Sequence, residues 1–420
     1  MVHQKKAIVL GGTNPHIELI KQLQKRNYYV ILVDYLKNPP AKKYADIHIQ
    51  ESTMDQDAVL KIAIENKIDL IISACVDQAN ITACYVAEKL GLTKPYTYDL
   101  ASKITNKGYM KKIMVKEGIP TTKYVYLEEN QNIENLELKY PVIVKPADAC
   151  AASGVKKANN IEELSKYFEE ARNVSRTKSV IVEEFFTGIE VSAYCFVENG
   201  NAKVVMISQR MSVIEGEKKV LKCYATVTPP NISKKAYEKI EVVADKIAKA
   251  FGLDNTALHV QFLINGDDID VIEFAPRVGG GISYYTILQK TGFDIISATI
   301  DSYEEKQVKL NSSDDGCVYS VNLIYGVPGI FDHLTGVDEL INDGVIEGVF
   351  YHKTKGMAVG NDRASAGRVA AFLVKGITKE EMYKKVKTAM DRIDVIDING
   401  NCIMRKDLFL GNLDETSAIQ

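Results

Sequence analysis

The chain has 420 residues, 46% of them hydrophobic and 25% charged, with a formal net charge of −3. These proportions fit two or three globular domains with ordinary cores and exclude a disordered chain. The near-neutral balance excludes global attraction to nucleic acid or anionic membranes, and no apolar run approaches the roughly 18–20 residues of a membrane span.

The first hundred residues alternate strands and helices. A strand over Lys6–Leu10 breaks at Gly11-Gly12, and a helix over His16–Arg26 leads to a second strand over Tyr29–Asp34. Ala58–Asn66 reads as a helix, Asp69–Ala74 as a strand, and Asn80–Leu90 as a helix ended by Gly91. Strands separated by helices imply a parallel sheet with right-handed crossovers, a Rossmann-like unit. Its first turn, Gly11-Gly12-Thr13-Asn14-Pro15, lacks the G-x-G-x-x-G spacing, and Pro15 removes an N–H from the helix start. Asp34 alone matches a ribose-binding acid, so dinucleotide binding is disfavoured; a small carboxylate or a plain turn remain open.

Beyond Lys107 the pattern changes. Tyr140–Lys145 and Ser179–Glu183 are strands around a helix over Ile161–Arg172, with Asn160 and Glu163 at capping-box positions. Longer strands over Glu190–Glu198 and Lys203–Gln209 suggest an antiparallel sheet. Ser233–Phe251 is an amphipathic helix whose Ala236, Ile240, Val243, Ala244, Ile247, Ala248 and Phe251 share one face, and Gly252 ends it. Strands over Ala257–Ile264 and Ile269–Ala275 follow. Strands over Cys317–Leu323 and Gly367–Leu373 and a helix over Lys379–Met390 form a last α+β unit. Met1 to Lys6 runs straight into a strand without a signal-like apolar region, so a cytoplasmic location is expected. The seven cysteines are scattered without a C-x-x-C pair, against disulfides and zinc; Cys150 is set apart by its loop.

Five segments carry the chemistry, in one order. Asn106-Lys107 opens a helix ending at Gly118-Ile119-Pro120. Pro141-Val-Ile-Val-Lys145-Pro146 is a strand ending in lysine, and a small-residue loop runs on to Ser153-Gly154. Next stand Glu183-Glu184-Phe185-Phe186-Thr187-Gly188-Ile189-Glu190, and then Glu273-Phe274-Ala275-Pro276-Arg277-Val278-Gly279-Gly280-Gly281. This series resembles the ATP-grasp superfamily, in particular carboxylate–amine ligases. The resemblance implies an α/β and α+β chain: a Rossmann-like domain over 1–104, an ATP-grasp domain over 105–304 and a C-terminal lid over 305–420. The ATP-grasp domain would divide into a small subdomain over about 115–185 and a large one over about 186–304.

The same resemblance implies ATP and Mg2+ (or Mn2+) as cofactors. Two lysines from separate elements neutralise a triphosphate, and small residues let backbone N–H groups close over it. Those roles fall to Lys107 and Lys145, with Ser153 and Gly154 ending the loop. Glu183, Glu184, Phe185 and Phe186 match the strand that takes the adenine, Glu183 near its exocyclic amine, and Glu190 matches the ribose-binding position. Glu273 is the expected metal ligand, joined by Gln261 where relatives carry an acid; Ala275 stands where many carry asparagine. Arg277 with Gly279, Gly280 and Gly281 would face the acyl phosphate. His259 reads more readily as a structural sheet residue than as a catalyst. Arg363 and Arg368 sit in the lid, where contact with substrate is left open.

One geometric test follows. Side chains alternate along a strand, so Gln261 faces Glu273 only if the connecting loop is odd. A three-residue loop, Gly266–Asp268, is expected, although the Asn265-Gly266 pair favours a two-residue turn that would separate the two residues. The expected activity is ligation of a small carboxylate, such as an amino acid, to an amine through an acyl phosphate. The alternatives are bicarbonate activation and an ATP-binding homologue with weakened catalysis. Small-molecule substrates, no nucleic acid, no membrane and a homodimer complete the expectation.

Overall fold

The computed structural model describes residues 4–129, 131, 133, 136–149, 154–215, 220–361 and 365–409. The N-terminal unit is a parallel sheet of β1 (Lys5–Leu10), β2 (Tyr28–Val33), β3 (Ile47–Ile49) and β4 (Leu70–Ile72), in the order β3-β2-β1-β4. Continuous apolar runs such as Ala7–Leu10 and Val30–Val33 are fully buried because helices cover both faces. These are α1 (Asn14–Lys25), α2 (Gln56–Asn66) and α3 (Asp77–Leu90). Helix α3 begins three residues earlier than its apolar pattern suggests, which places Asp77 in its first turn.

Helices α4 (Tyr98–Thr105) and α5 (Lys107–Lys116) lead into a four-stranded antiparallel sheet, ordered β5-β8-β6-β7. Its strands are β5 (Tyr124–Leu127), β6 (Val142–Pro146), β7 (Lys156–Ala158) and β8 (Val180–Glu184), backed by α6 (Ile161–Val174). Asn160 caps α6, accepting from the Glu163 N–H at 2.9 Å. The Glu163 carboxylate turns to the Asn159 N–H rather than to the cap residue itself, so the capping box is only half formed.

An eight-stranded antiparallel sheet forms the body, ordered β13-β12-β9-β10-β11-β14-β18-β16. Its first five strands are β9 (Ile189–Glu198), β10 (Asn201–Glu215), β11 (Val220–Thr228), β12 (Thr256–Asn265) and β13 (Asp268–Ala275). Helix α7 (Lys234–Ala250) buries its apolar face against Val191, Ala193, Val260 and Phe262 on one side of this sheet. Helices α8 (Ser283–Thr291) and α9 (Ile295–Tyr303) pack into the core on the opposite side. The C-terminal strands β14 (Val318–Tyr325), β16 (Gly348–Tyr351) and β18 (Arg368–Gly376) pair onto β11, so one sheet runs across position 304. The remaining elements are β15 (Gly329–Thr335), α10 (Val337–Asn342), β17 (Ala358–Val359), α11 (Lys379–Arg392) and β19 (Asp394–Asp397). Strands β17-β15-β19 form a small separate sheet. Among the described residues no helix is long and apolar enough to cross a membrane.

Polar contacts tie the N-terminal unit to the rest. Arg26 donates to Asp301 at 2.7 Å and Glu304 at 2.8 Å, and Gln22 donates to Asp294 at 2.9 Å. The Asn14 amide in the first turn donates to the Tyr351 carbonyl at 3.1 Å. That turn therefore serves at least as a tether to the C-terminal unit. Asp34 accepts from the Leu36 N–H at 2.8 Å, a local bond that closes its own turn.

Candidate active site

Helix α5 starts where the Asn106 side chain accepts from the Tyr109 N–H at 3.0 Å, a polar cap that fixes Lys107 as the first helical residue. From there the Lys107 ammonium donates to the Ala149 carbonyl at 2.7 Å and lies 3.2 Å from a Glu273 carboxylate oxygen. Lys107 is thus a charge partner of the acid on β13 and a strut under the small-residue loop.

The route by which Glu273 reaches that position differs from the expected one. Asn265 pairs with Asp268, so the turn contains two residues, Gly266 and Asp267, with Gly266 at φ +59°. Yet Gln261 does lie opposite Glu273. Phe262 pairs with Val271 while Gln261 pairs with Glu273, which leaves Ile272 as an extra, bulged residue. The bulge supplies the odd residue that parity demands. Glu273, Ala275, His259 and Gln261 therefore share the sheet face away from α7. Oriented to satisfy both neighbours, the Gln261 amide donates to Glu273 Oε1 at 2.9 Å and accepts from Arg210 Nη1 at 3.1 Å.

Four residues beyond Glu273, Arg277 is held by the N-terminal unit. Its Nε and Nη2 donate to the two Asp77 oxygens at 2.6 and 3.0 Å, and its Nη1 donates to the Val278 carbonyl at 3.0 Å. Burial opposes ionisation of Asp77, but the guanidinium outweighs it and holds the acid below its ordinary range. His259 stacks on Tyr194 with centroids 5.1 Å apart. Burial first, and then Arg277, push its pKa down to about 3, so it stays neutral. A Cβ on Gly279 would lie 2.3 Å from the Tyr194 ring, so glycine is required there for packing; Gly280 and Gly281 have open space. Asp77, Lys107, Gln261, Glu273 and Arg277 line one cleft together with Asn80 and Tyr96.

Lys145 and Glu183 lie on the neighbouring four-stranded sheet. They pair at 2.6 Å, and Lys145 is 4% exposed. Glu183 also pairs at 2.9 Å with Lys111, which the sequence reading did not single out. Burial pushes the Glu183 pKa up, but the two ammonium groups outweigh it and bring it down to about 2. Both carboxylate oxygens are taken by these lysines. At the end of β8 the Glu184 and Phe185 N–H groups donate to the Lys123 and Pro141 carbonyls at 2.9 and 3.0 Å. The Phe185 ring carries Lys157 Nζ 3.9 Å from its centroid. Gly154 sits at φ +72°, and a Cβ there would meet Pro146 at 2.8 Å. Ser153, Cys150, Asp362 and Arg363 lie outside the described residues.

Glu190 lies 3.2 Å from Arg210, and its pKa is raised by burial against the pull of that arginine. Through Gln261 it belongs to the same polar chain as Glu273. Arg368 donates to the Tyr325 hydroxyl at 3.3 Å, across the pair that joins β14 and β18.

Residues 138–285, which hold the Lys145 strand, the segment from Glu183 to Glu190 and the hairpin that carries Glu273, fit the model of the ATP-grasp domain. Over those residues the chain matches the ATP-grasp domain. Formate-dependent phosphoribosylglycinamide formyltransferase of Saccharolobus solfataricus is 23% identical over 282 residues, covering 65% of this chain and 70% of the relative. The L-amino acid ligase of Bacillus licheniformis superposes with a TM-score of 0.75 at 18% identity, covering 94% of this chain and 100% of that one. The biotin carboxylase domain of Hydrogenobacter thermophilus 2-oxoglutarate carboxylase gives 0.79 at 16% identity, covering 99% and 96%. At these identities the structural likeness shows the shared fold alone.

Proposed function

We propose that this protein is an ATP-dependent carboxylate–amine ligase that forms an amide through an acyl phosphate. The observation that carries the reading is Glu273 held between Lys107 and Gln261, with Arg277 in the same cleft. Lys107 and Lys145 bind the phosphates, with Ser153 and Gly154 closing over them, and the hinge from Glu183 to Phe186 reads the base. The Phe186 N–H has no backbone partner among the described residues and is the natural donor to it. Glu190 takes the ribose. Arg277 stabilises charge on the transferring phosphoryl group, and Gly280 and Gly281 admit the carboxylate beside it.

Among the described residues no group of three His, Cys, Asp or Glu side chains could cage a metal by itself. Glu273 would supply the carboxylate to Mg2+, and Gln261 would join it only by turning its carbonyl oxygen away from Arg210. Bound there, the metal would neutralise phosphate charge. No protein nucleophile is needed, because positioning and electrostatics suffice for this transfer. The protein would work in the cytoplasm on small molecules.

The test is ADP release by the purified protein with ATP and Mg2+, offered amino acids singly and in pairs, with and without bicarbonate. Turnover that needs both a carboxylate and an amine is expected, and it should fall by about a hundredfold or more in Glu273→Ala and Arg277→Ala. Turnover dependent on bicarbonate alone would replace the ligase reading with carboxyphosphate formation. One observation favours a second reading: the Gln261 amide beside Glu273 is committed to Glu273 and Arg210, and it brings no charge to a metal. Tight ATP binding without turnover for any pair would establish that weakened-site reading instead.

A further inference from the structure

Helix α5 delivers two lysines to the site. Lys107 and Lys111 stand four residues apart, hence on one helix face. Lys107 goes to Glu273, while Lys111 goes to Glu183 at 2.9 Å and to the Thr121 hydroxyl at 2.6 Å. The Lys111 side chain is 0% exposed, so its charge is matched entirely inside the protein. Around it stand Lys145, Thr122, the Tyr124 ring with its centroid 5.2 Å away, and Asp270 on β13.

Glu183 therefore has two cations where one would satisfy it. Lys145 has three N–H donors, but a phosphate drawn to it would share the single positive charge that now faces Glu183. Were Lys145 its only cation, nucleotide binding would leave a buried carboxylate with little beyond the Thr122 hydroxyl, which donates to it at 3.2 Å, an outcome that opposes the movement. We propose that Lys111 is a positioning residue that keeps Glu183 paired when Lys145 turns to the nucleotide phosphates. Lys111 itself touches no substrate. This rests on the reading that Lys145 is a phosphate ligand. The pairing also explains why a lysine is tolerated at a fully buried helix position, where a lone ammonium would be costly. Its second anchor, Thr121, donates onward to the Val271 carbonyl at 3.1 Å, which couples Lys111 to the strand that carries Glu273.

The test uses full-length protein and equilibrium binding of Mg-ATP and of inorganic tripolyphosphate, the latter reporting on phosphates without the base. Lys111→Met should weaken both by about tenfold or more, because the displaced pairing is a buried one. Lys111→Met combined with Glu183→Gln should regain at least about threefold in tripolyphosphate affinity over Lys111→Met alone, since no carboxylate is left to strand. Lys111→Gln, which keeps a bond to Thr121, stands in if the methionine variant does not fold. Wild-type affinity in the Lys111 variants, or no recovery in the double variant, overturns the proposal, because a merely structural lysine predicts additive losses. Unchanged tripolyphosphate affinity in Lys145→Met would instead overturn the phosphate role of Lys145 and the proposal with it.

Discussion

At the scale of single residues, the site is a set of compensated charges. Arg277 is neutralised by Asp77, Glu273 by Lys107, Arg210 by Glu190, and Glu183 by two lysines. Asp270 is the exception. Burial lifts its pKa to about 6, Lys111 only partly offsets this, and the charges of Glu183 and Asp268 add to the rise. A carboxyl whose folded pKa lies above its unfolded one favours folding while protonated. Its contribution is therefore full below about pH 4 and lost as the pH rises through about 6. Asp270→Asn should raise the melting temperature at about pH 8, with the advantage vanishing near pH 4. Thermal unfolding across that range checks the sign, and an advantage that grows toward acid would refute it.

At the scale of elements, the β12–β13 hairpin shows how a local preference and a functional need are both met. The turn takes the two-residue form that Gly266 favours, and the bulge at Ile272 then restores the parity that faces Gln261 toward Glu273. Register in this hairpin is held by the ladder and the bulge, with the turn as a cheap closure. A Cβ at Gly266 would meet nothing within 4 Å, so Gly266→Ala pays only for its left-handed backbone. We expect a loss of about 1–2 kcal/mol in denaturant unfolding with nucleotide affinity unchanged. A large drop in affinity would show that the turn, rather than the bulge, sets the site. Helix α5 is the companion element, since one turn of it serves Glu273 and the next serves Glu183.

At the scale of the whole molecule, the cleft exists because three units meet. The N-terminal unit contributes Asp77, α5 contributes Lys107, and the large sheet contributes Gln261, Glu273 and Arg277. Arg26 is the main polar clamp of the first contact, and its side chain is 21% exposed between Asp301 and Glu304. Arg26→Ala should cost about 1.5–3 kcal/mol, the value of hydrogen bonds to charged groups. Hydrogen exchange should show the loss as faster opening of α1 and α9, with a fall in turnover as Asp77 loses its hold on Arg277. Unchanged exchange in both helices would place the clamp elsewhere.

Much of this was determined by the sequence alone. Helix and strand periods gave the N-terminal parallel sheet and the amphipathic α7, and glycine at Gly91 and Gly252 ends α3 and α7 where expected. The ordered motifs singled out Lys107, Lys145, Glu183, Glu273 and Arg277 through their resemblance to the ATP-grasp superfamily, which assigns each a role by its place in the series. What the tertiary structure decided are the partners. Asp77 meets Arg277 across 200 positions of chain, and neither residue carries a local mark of the other. Lys111 looks like any lysine of an exposed helix face, and only the packing of α5 against the small sheet makes it buried. The bulge at Ile272 has no glycine to announce it. The last strands read as a separate unit because periodicity reports which face is buried but not which neighbour covers it; only the folded chain shows β14, β16 and β18 continuing the large sheet.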